Sequence, residues 1–337
     1  MVTNMYPTAA APDDGTPVAD EHAALEAAGC EVELLHVPRE GGSRRVYLGL
    51  GRQVDRLLNR VPSDLVVVMY GGVMADIVTR AVHDVPVVLT FRGTDLLGGR
   101  GRGVVHGLAR RYGVIASRRA ALRAGGIVVK SRNLLAALPA AVDRSRVWVV
   151  PDGVDLDRFR PRDRTECRAA LGWAPGRGHL VFPGAAARPE KRFWLAEAAV
   201  AHLRASGVDA ELHALEGVPH DGVATFLNAA DAVLLTSAHE GSPNVVKEAL
   251  ACDVPIVSVD VGDVRERVQG LDGCHIADPL PRDLAQKLAD VLARGDGVAG
   301  RDRVRDLALP SVAARLVSIY SAVAAAARPA HAVGVGR

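Results

Sequence analysis

Apolar runs of strand length alternate with helix-length amphipathic stretches along nearly the whole chain. In the first half the runs are "VTNMY" (2–6), "CEVELLHV" (30–37), "DLVVVMY" (64–70), "VPVVLTF" (85–91), "GIVVKS" (126–131) and "RVWVV" (146–150). Helical patterns fill most gaps, for example 17–29 and 104–123. Strands that are apolar at consecutive positions are covered on both faces, the mark of a parallel sheet between helices. The pattern then breaks: residues 151–178 are polar and turn-rich, and read as a linker with one short helix. A second alternating series follows, "HLVFPG" (179–184), "AELHAL" (210–215), "AVLLTS" (232–237), "PIVSVD" (255–260) and "CHIAD" (274–278). Helical patterns return at 283–294 and 310–327.

This order predicts an α/β protein of two tandem doubly wound, Rossmann-like domains with a cleft between them. The expected units are 1–155, 156–310, a C-terminal helix over 311–327 that packs back on the first domain, and a frayed tail over 328–337. Ligands in such sheets bind beyond the carboxyl ends of the strands. A hinge near 151–178 would open and close the cleft.

Bulk properties narrow the class without naming it. A chain of 337 residues exceeds one ordinary core, which agrees with two domains. A net charge of +2 gives no global case for nucleic acid. No apolar run stands out at the roughly 20 residues a membrane helix needs. The first residues, "MVTNMYPTAAAPDDG", lack a basic segment followed by an apolar one, so a cytoplasmic protein is expected. Cys30, Cys167, Cys252 and Cys274 are scattered without a C-x-x-C pair, which favours reduced thiols over a metal or disulfide framework. Of 41 basic residues only Lys130, Lys191, Lys247 and Lys287 are lysine, so the surviving lysines are expected to include some held by function.

The segment "HEGSPNVVKEALACDVP" (239–255) carries the clearest chemistry. It follows a strand-like run, and Ser242 and Pro243 suit an N-cap and a first helical position. The free N–H groups and the dipole at such a helix start favour a phosphate. On a helical wheel Val245, Val246, Ala249 and Leu250 form the buried stripe, Lys247 points away from it, and Glu248 lies on the flank beside Asn244. Ionised carboxylates accept hydrogen bonds and suit vicinal hydroxyls. Glu240 before the helix and Glu248 within it therefore frame a site for a nucleotide-sugar: phosphate at the helix start, sugar hydroxyls at the carboxylates.

The same residues resemble the signature of family 4 retaining glycosyltransferases of the GT-B fold. Its pattern, EG-x-P-x-x-x-x-E-A, is met by Glu240, Gly241, Pro243, Glu248 and Ala249. The resemblance implies that Glu240 touches the transferred sugar and Glu248 holds the ribose, with Gly241, Ser242, Pro243, Asn244 and Val245 around the donor. "PDGVDLDRFRP" (151–161) resembles the family's domain junction. "TNMYPTAAAPDDG" (3–15) resembles its first strand and loop, where Gly15 approaches the acceptor side. "FPGAAARPEKRF" (182–193) resembles its donor-domain turn and brings in Gly184. There the family uses an arginine and a lysine in place of a metal, which implies catalytic roles for Arg188 and Lys191. Ala185 stands where the commoner pattern has the arginine, so Arg188 requires a shifted loop. The base is assigned to backbone near Gly217, Val218 and Pro219. In "TFRGTDLLG" (90–98) Arg92 replaces a histidine of many relatives; Arg92 and Asp95 are placed on the acceptor side, Arg92 pairing with Asp95 or with a charged substrate.

Other features are discounted. Asp155 and Asp157 form a D-x-D in a turn-like context, where structure outweighs metal binding. Cys252 reads as core. No metal or cofactor is expected; the nucleotide-sugar is a substrate. Between Asp95 and Asp143 lie nine cations and no acid, Arg100, Arg102, Arg110, Arg111, Arg118, Arg119, Arg123, Lys130 and Arg132. That patch suits an anionic membrane face or an acidic acceptor, and would make the protein peripheral to the inner membrane face. The expected function is retaining transfer of a sugar from a nucleoside-diphosphate sugar to a small-molecule or oligosaccharide acceptor. Compact size and residue bias suggest antibiotic-oligosaccharide biosynthesis. A sugar-nucleotide epimerase, a phosphorylase and a non-catalytic nucleotide-sugar module remain open.

Overall fold

The computed structural model describes residues 1–11, 14–38, 44–98 and 104–327. The expected tail over 328–337 lies outside them, as do Arg100 and Arg102. Eleven strands form two sheets among the described residues. The first holds β1 (Val2–Thr3), β2 (Leu35–His36), β3 (Val66–Met69), β4 (Val87–Phe91), β5 (Gly126–Val129) and β6 (Val147–Val149) in the order β2-β1-β3-β4-β5-β6. The second holds β7 (Gly178–Phe182), β8 (Ala210–Ala214), β9 (Ala232–Leu235), β10 (Ile256–Val259) and β11 (His275–Ala277) in the order β11-β10-β9-β7-β8. Every pairing is parallel.

Helices cover both sheets. Around the first lie α1 (Thr16–Ala27), α2 (Leu50–Arg60), α3 (Gly72–Ala81), α4 (Thr94–Leu97), α5 (Val104–Arg123) and α6 (Arg132–Ala137). Then come α7 (Arg164–Leu171), α8 (Phe193–Ala205), α9 (His220–Ala229), α10 (Asn244–Ala251), α11 (Val264–Val268), α12 (Pro281–Arg294) and α13 (Leu309–Ala327). The near-continuous apolar runs behave as parallel strands must: all four residues of β3, β9 and β10 are buried.

One strand is shorter than its sequence suggests. "CEVELLHV" pairs only through Leu35 and His36, beside the two residues of β1. Among the described residues it is an edge strand with no partner on its outer side, and Glu31 and Glu33 favour solvent there.

The linker contains α7, capped as its ends require. The Asp163 carboxylate accepts the Glu166 N–H, and Gly172 closes the helix in the left-handed conformation at φ 67°. The chain later returns to the junction. Val154 and Ala308 form a parallel bridge, and the Arg301 guanidinium donates to the carbonyls of Leu156, Phe159 and Ala251. From there α13 runs onto α1 in the first domain. A Cβ on Gly126 would sit 2.9 Å from Val323 of α13, so β5 must offer a bare backbone to this helix.

Helix α13 is also the one described helix long and apolar enough to cross a membrane, with a mean hydropathy of 1.4. The expectation of no such run therefore needs correcting. It buries Leu316, Ile319, Tyr320 and Val323 within the fold, as a core-facing helix does.

Candidate functional site

The carboxyl ends of β7 and β9 bring together two of the residues singled out in the sequence. The turn after β7 carries Lys191, and the loop after β9 carries Glu240. Lys191 Nζ donates to Glu240 Oε1 at 2.7 Å, with both side chains mostly shielded. The lysine stem crosses Gly184, whose φ of 130° favours glycine and whose Cβ position lies 3.4 Å from Lys191 Cε. Gly184 thus sets the path of the ammonium.

Arg188 does not join this pair. The turn Pro189–Lys191 leaves it 55% exposed, with its guanidinium on Glu190 Oε1 at 2.7 Å. The shifted loop on which its assignment to the diphosphate depends is not seen, and the guanidinium pairs instead with Glu190 two residues on. The adjacent Arg192, passed over in the sequence, is a brace: at φ 52° it donates to the Thr236 and Ser237 carbonyls at the end of β9.

The start of α10 also differs from expectation. Pro243 is the N-cap and Asn244 the first helical residue. Ser242 is no cap; its hydroxyl bonds Asp263 Oδ2 at 2.8 Å. The helix start therefore keeps its Asn244 and Val245 amides for another acceptor. Asn244 Oδ1 is buried without a hydrogen-bond partner among the described residues. Glu248 lies on the flank as the wheel suggested, 3.9 Å from His220 Nε2. Glu248 raises the pKa of His220, against the opposing effect of burial. Gly217, at φ 69°, and Val218 lie in the turn just ahead of His220, next to this pair.

Lys247 reverses its expected placement. It is 1% exposed, and its Nζ donates to the Asp152 carbonyl at 3.1 Å. Burial lowers its pKa to about 8. A wheel of one helix shows that helix's own core stripe, whereas Lys247 is covered by the junction between domains. It adjoins a buried charge cluster. Lys130 Nζ lies 2.9 Å from both Glu21 Oε2 and Asp152 Oδ1, and Arg92 Nη2 lies 2.8 Å from Asp152 Oδ2. The Arg92 contact is an ion pair without hydrogen-bond alignment. Burial alone would raise the Asp152 pKa, but Arg92, Lys130 and Lys247 outweigh it and hold the carboxyl well below the usual carboxylate range.

Arg92 and Asp95 therefore leave the acceptor side. The Arg92 guanidinium is taken up by this cluster at 8% exposure. Asp95 is buried and accepts the backbone N–H groups of Gly71, Arg92 and Gly93, while burial raises its pKa. It shapes a loop in which Tyr70 is held at φ 92°, an unusual conformation for a side-chain-bearing residue.

The two domains meet on backbone at the Glu240 loop. A Cβ on Gly241 would lie 2.6 Å from the Arg92 carbonyl oxygen, and one on Gly262 2.5 Å from the Gly241 carbonyl oxygen. Asn133 Nδ2 of the first domain donates to the Glu240 carbonyl at 3.0 Å. Gly15, at φ 71°, starts α1 with its α-carbon pressed on Met5 and Tyr6; an added Cβ would lie 2.3 Å from Met5. On α1, burial raises the Asp20 pKa, opposed by the charges of His220 and Arg158 and reinforced by Asp155 and Glu248.

Among the described residues the grouping suited to a metal is His179, Glu211 and His213. His179 Nδ1 and His213 Nε2 lie 2.9 Å apart and share a hydrogen bond, Arg177 holds Glu211, and Trp173 stacks on both rings. Register pairs His179 with Glu211 near the starts of β7 and β8, the opposite end from Lys191. The D-x-D is a turn: Asp155 Oδ1 accepts the N–H groups of Asp157 and Arg158. The Cys252 thiol is buried and pushed up to about 12, which suits a packed core residue.

Comparison with known proteins identifies the chain's family and fold. Residues 7–158 match the family described as Glycosyltransferase Family 4, and 176–294 that described as Glycosyl transferases group 1. A D-inositol 3-phosphate glycosyltransferase of Geodermatophilus obscurus is 33% identical over 45% of this chain and 41% of the relative. A glycosyltransferase of Bacillus subtilis, TuaC, named for teichuronic acid biosynthesis, is 30% identical over 67% of this chain and 59% of its own length. The chain thus spans about half the length of the curated relatives it matches. The structure resembles sucrose-phosphate synthase of Thermosynechococcus elongatus with a TM-score of 0.75, covering 93% and 94% of the two chains at 15% identity. AviGT4, a glycosyltransferase involved in avilamycin A biosynthesis, has a TM-score of 0.58 over 96% and 97% at 18% identity. At such identities these likenesses establish the fold alone, and the antibiotic role expected from composition gains no more than that.

Proposed function

We propose that this chain, which belongs to the family 4 glycosyltransferases of the GT-B fold, moves a sugar from a nucleoside-diphosphate sugar to an acceptor hydroxyl with retention of configuration. The observation that carries this reading is the 2.7 Å contact of Lys191 with Glu240 at the carboxyl ends of the second domain's strands. A departing diphosphate gathers negative charge as the C1–O bond lengthens. A positioned ammonium stabilises that charge, and preorganised electrostatics of this kind is usually the largest catalytic contribution. Lys191 then exchanges its Glu240 partner for the diphosphate, which frees Glu240 for the hydroxyls of the moving sugar. The open amides of α10 receive the phosphates. Glu248, oriented by His220, takes the ribose.

The acceptor oxygen forms its bond to C1 on the face the diphosphate leaves. The acceptor proton passes to a phosphate oxygen, so atoms balance without a protein nucleophile. The lysine takes the place a metal holds in other transferases, and the reaction is proposed to be metal-independent. A place in antibiotic-oligosaccharide assembly rests on compact size and composition.

A thermal-shift panel of nucleoside diphosphates and nucleotide-sugars, with and without EDTA, tests the reading. A ligand at a hundredfold its Kd adds about 2.7 kcal/mol of stability, a shift of several degrees. One base class should stabilise the protein in both buffers. No shift from any nucleotide overturns the reading, and a shift abolished by EDTA overturns the role given to Lys191. Release of an isomerised nucleotide-sugar without acceptor would make the protein an epimerase instead.

A further inference from the structure

Beside the Glu240 loop lies a cavity of about 550 Å³ between the two domains. Its first-domain wall is α5, which contributes Arg110, Arg111, Arg118, Val114 and Ile115; its second-domain wall is His239, next to Glu240 in the chain. Among the described residues no carboxylate lines it. None of the three arginines has an ion-pair partner among the described residues. Arg110 acts across the cleft on Glu190. Burial would raise the Glu190 pKa, but its own backbone N–H, Arg188 and Arg110 together lower it. A second cavity, about 490 Å³ at the ends of β9 to β11, mixes charges instead: Asp260, Asp278 and Asp283 line it with Arg192 and Arg265, and Arg265 is paired with Asp260.

Three guanidiniums held within one cavity repel each other unless an anion enters, and their planar forks match phosphate or carboxylate oxygens. Leu97, Val114 and Ile115 add apolar wall for the rest of a ligand. We propose that this cavity binds the anionic group of the acceptor, a phosphate or carboxylate on a partly apolar body, and so presents the acceptor hydroxyl to the Lys191–Glu240 pair. This rests on the transferase reading for the identity of the ligand as acceptor. The lining favours a single anionic group in an open cleft over a flat lipid surface, because the arginines of one domain share the cavity with His239 of the other.

Protein saturated with the nucleoside diphosphate that stabilises it best is titrated calorimetrically with glycerol 1-phosphate and with glycerol. The phosphate ester alone should bind. The double variant R111A/R118A should weaken it at least tenfold. Arg119→Ala, exposed on the same helix outside the cavity, should not. Equal affinity for glycerol 1-phosphate in wild type and R111A/R118A overturns the proposal. A second arm measures co-sedimentation with phosphatidylglycerol vesicles. If R111A/R118A abolishes vesicle binding while wild type ignores glycerol 1-phosphate, the arginines serve a membrane face, and the proposal is again overturned. Glycerol 1-phosphate binding in a protein that takes up no nucleotide would sink the transferase reading and leave the anion site standing.

Discussion

The charges at the domain junction and those at the α5 cavity are built from the same residue types and behave in opposite ways. At the junction Arg92, Lys130 and Lys247 are buried with Glu21 and Asp152 in contact. At the cavity Arg110, Arg111 and Arg118 are exposed, and among the described residues no acid pairs with them. Matched, buried charge specifies how the halves of the molecule meet. Unmatched charge at the cleft is a binding surface awaiting its counterion. The Lys191–Glu240 pair stands between these cases: matched at rest, shielded only in part, and able to exchange partners.

Substitutions can break this contrast, beginning with the largest effect. Asp152→Asn should cost about 3–5 kcal/mol in urea unfolding, because it strands buried cations. A change below about 1 kcal/mol would mean that the cluster is hydrated and does not hold the junction. Lys191→Ala should lower kcat by about 10²–10³ while leaving the unfolding midpoint near wild type. An equal loss of stability would class Lys191 with the junction cations.

Glu248→Gln should weaken nucleoside-diphosphate binding by about tenfold, since one charge-assisted hydrogen bond is worth about 1.5–3 kcal/mol before a neutral amide replaces it. Glu240→Gln should impair turnover more than nucleotide affinity. If both variants bind and turn over like wild type, these carboxylates are ordinary surface charge. The smallest effect is a pH dependence. Glu248 raises the folded pKa of His220 above its ordinary 6.5. The stability His220 adds is therefore fully present below that value and is lost as pH rises through the folded pKa. The stability gap between wild type and His220→Gln should shrink as pH rises above the ordinary histidine value of 6.5. A gap that widens would mean that the ring is stabilised in its neutral form.

Much of this was legible in the chain. The apolar runs of β3, β9 and β10 announced buried parallel strands, and α5 matched its pattern over 104–123. The E-x₇-E segment put Glu240 in a loop and Glu248 on a helix flank. What stayed hidden depends on partners distant in sequence. Nothing near Arg92 points to Glu21 or Asp152, and nothing in α10 shows that a second domain covers Lys247. Arg188 depended on a neighbour instead: Glu190 sits two residues away, but its capture of the guanidinium follows from the turn at Pro189–Lys191. Lys130 and Lys247 are both at the junction and Lys191 is at the cleft.

Helix α13 has a consequence for how the molecule is made. The first sheet is translated early, yet the helix laid over α1 and against Gly126 comes from residues 309–327. On the ribosome, at about 5–20 residues per second, that face stays bare until the whole second sheet has been synthesised. The nascent N-terminal half then carries an uncovered apolar strip for tens of seconds, and a chaperone acting on this protein would find its earliest client surface there.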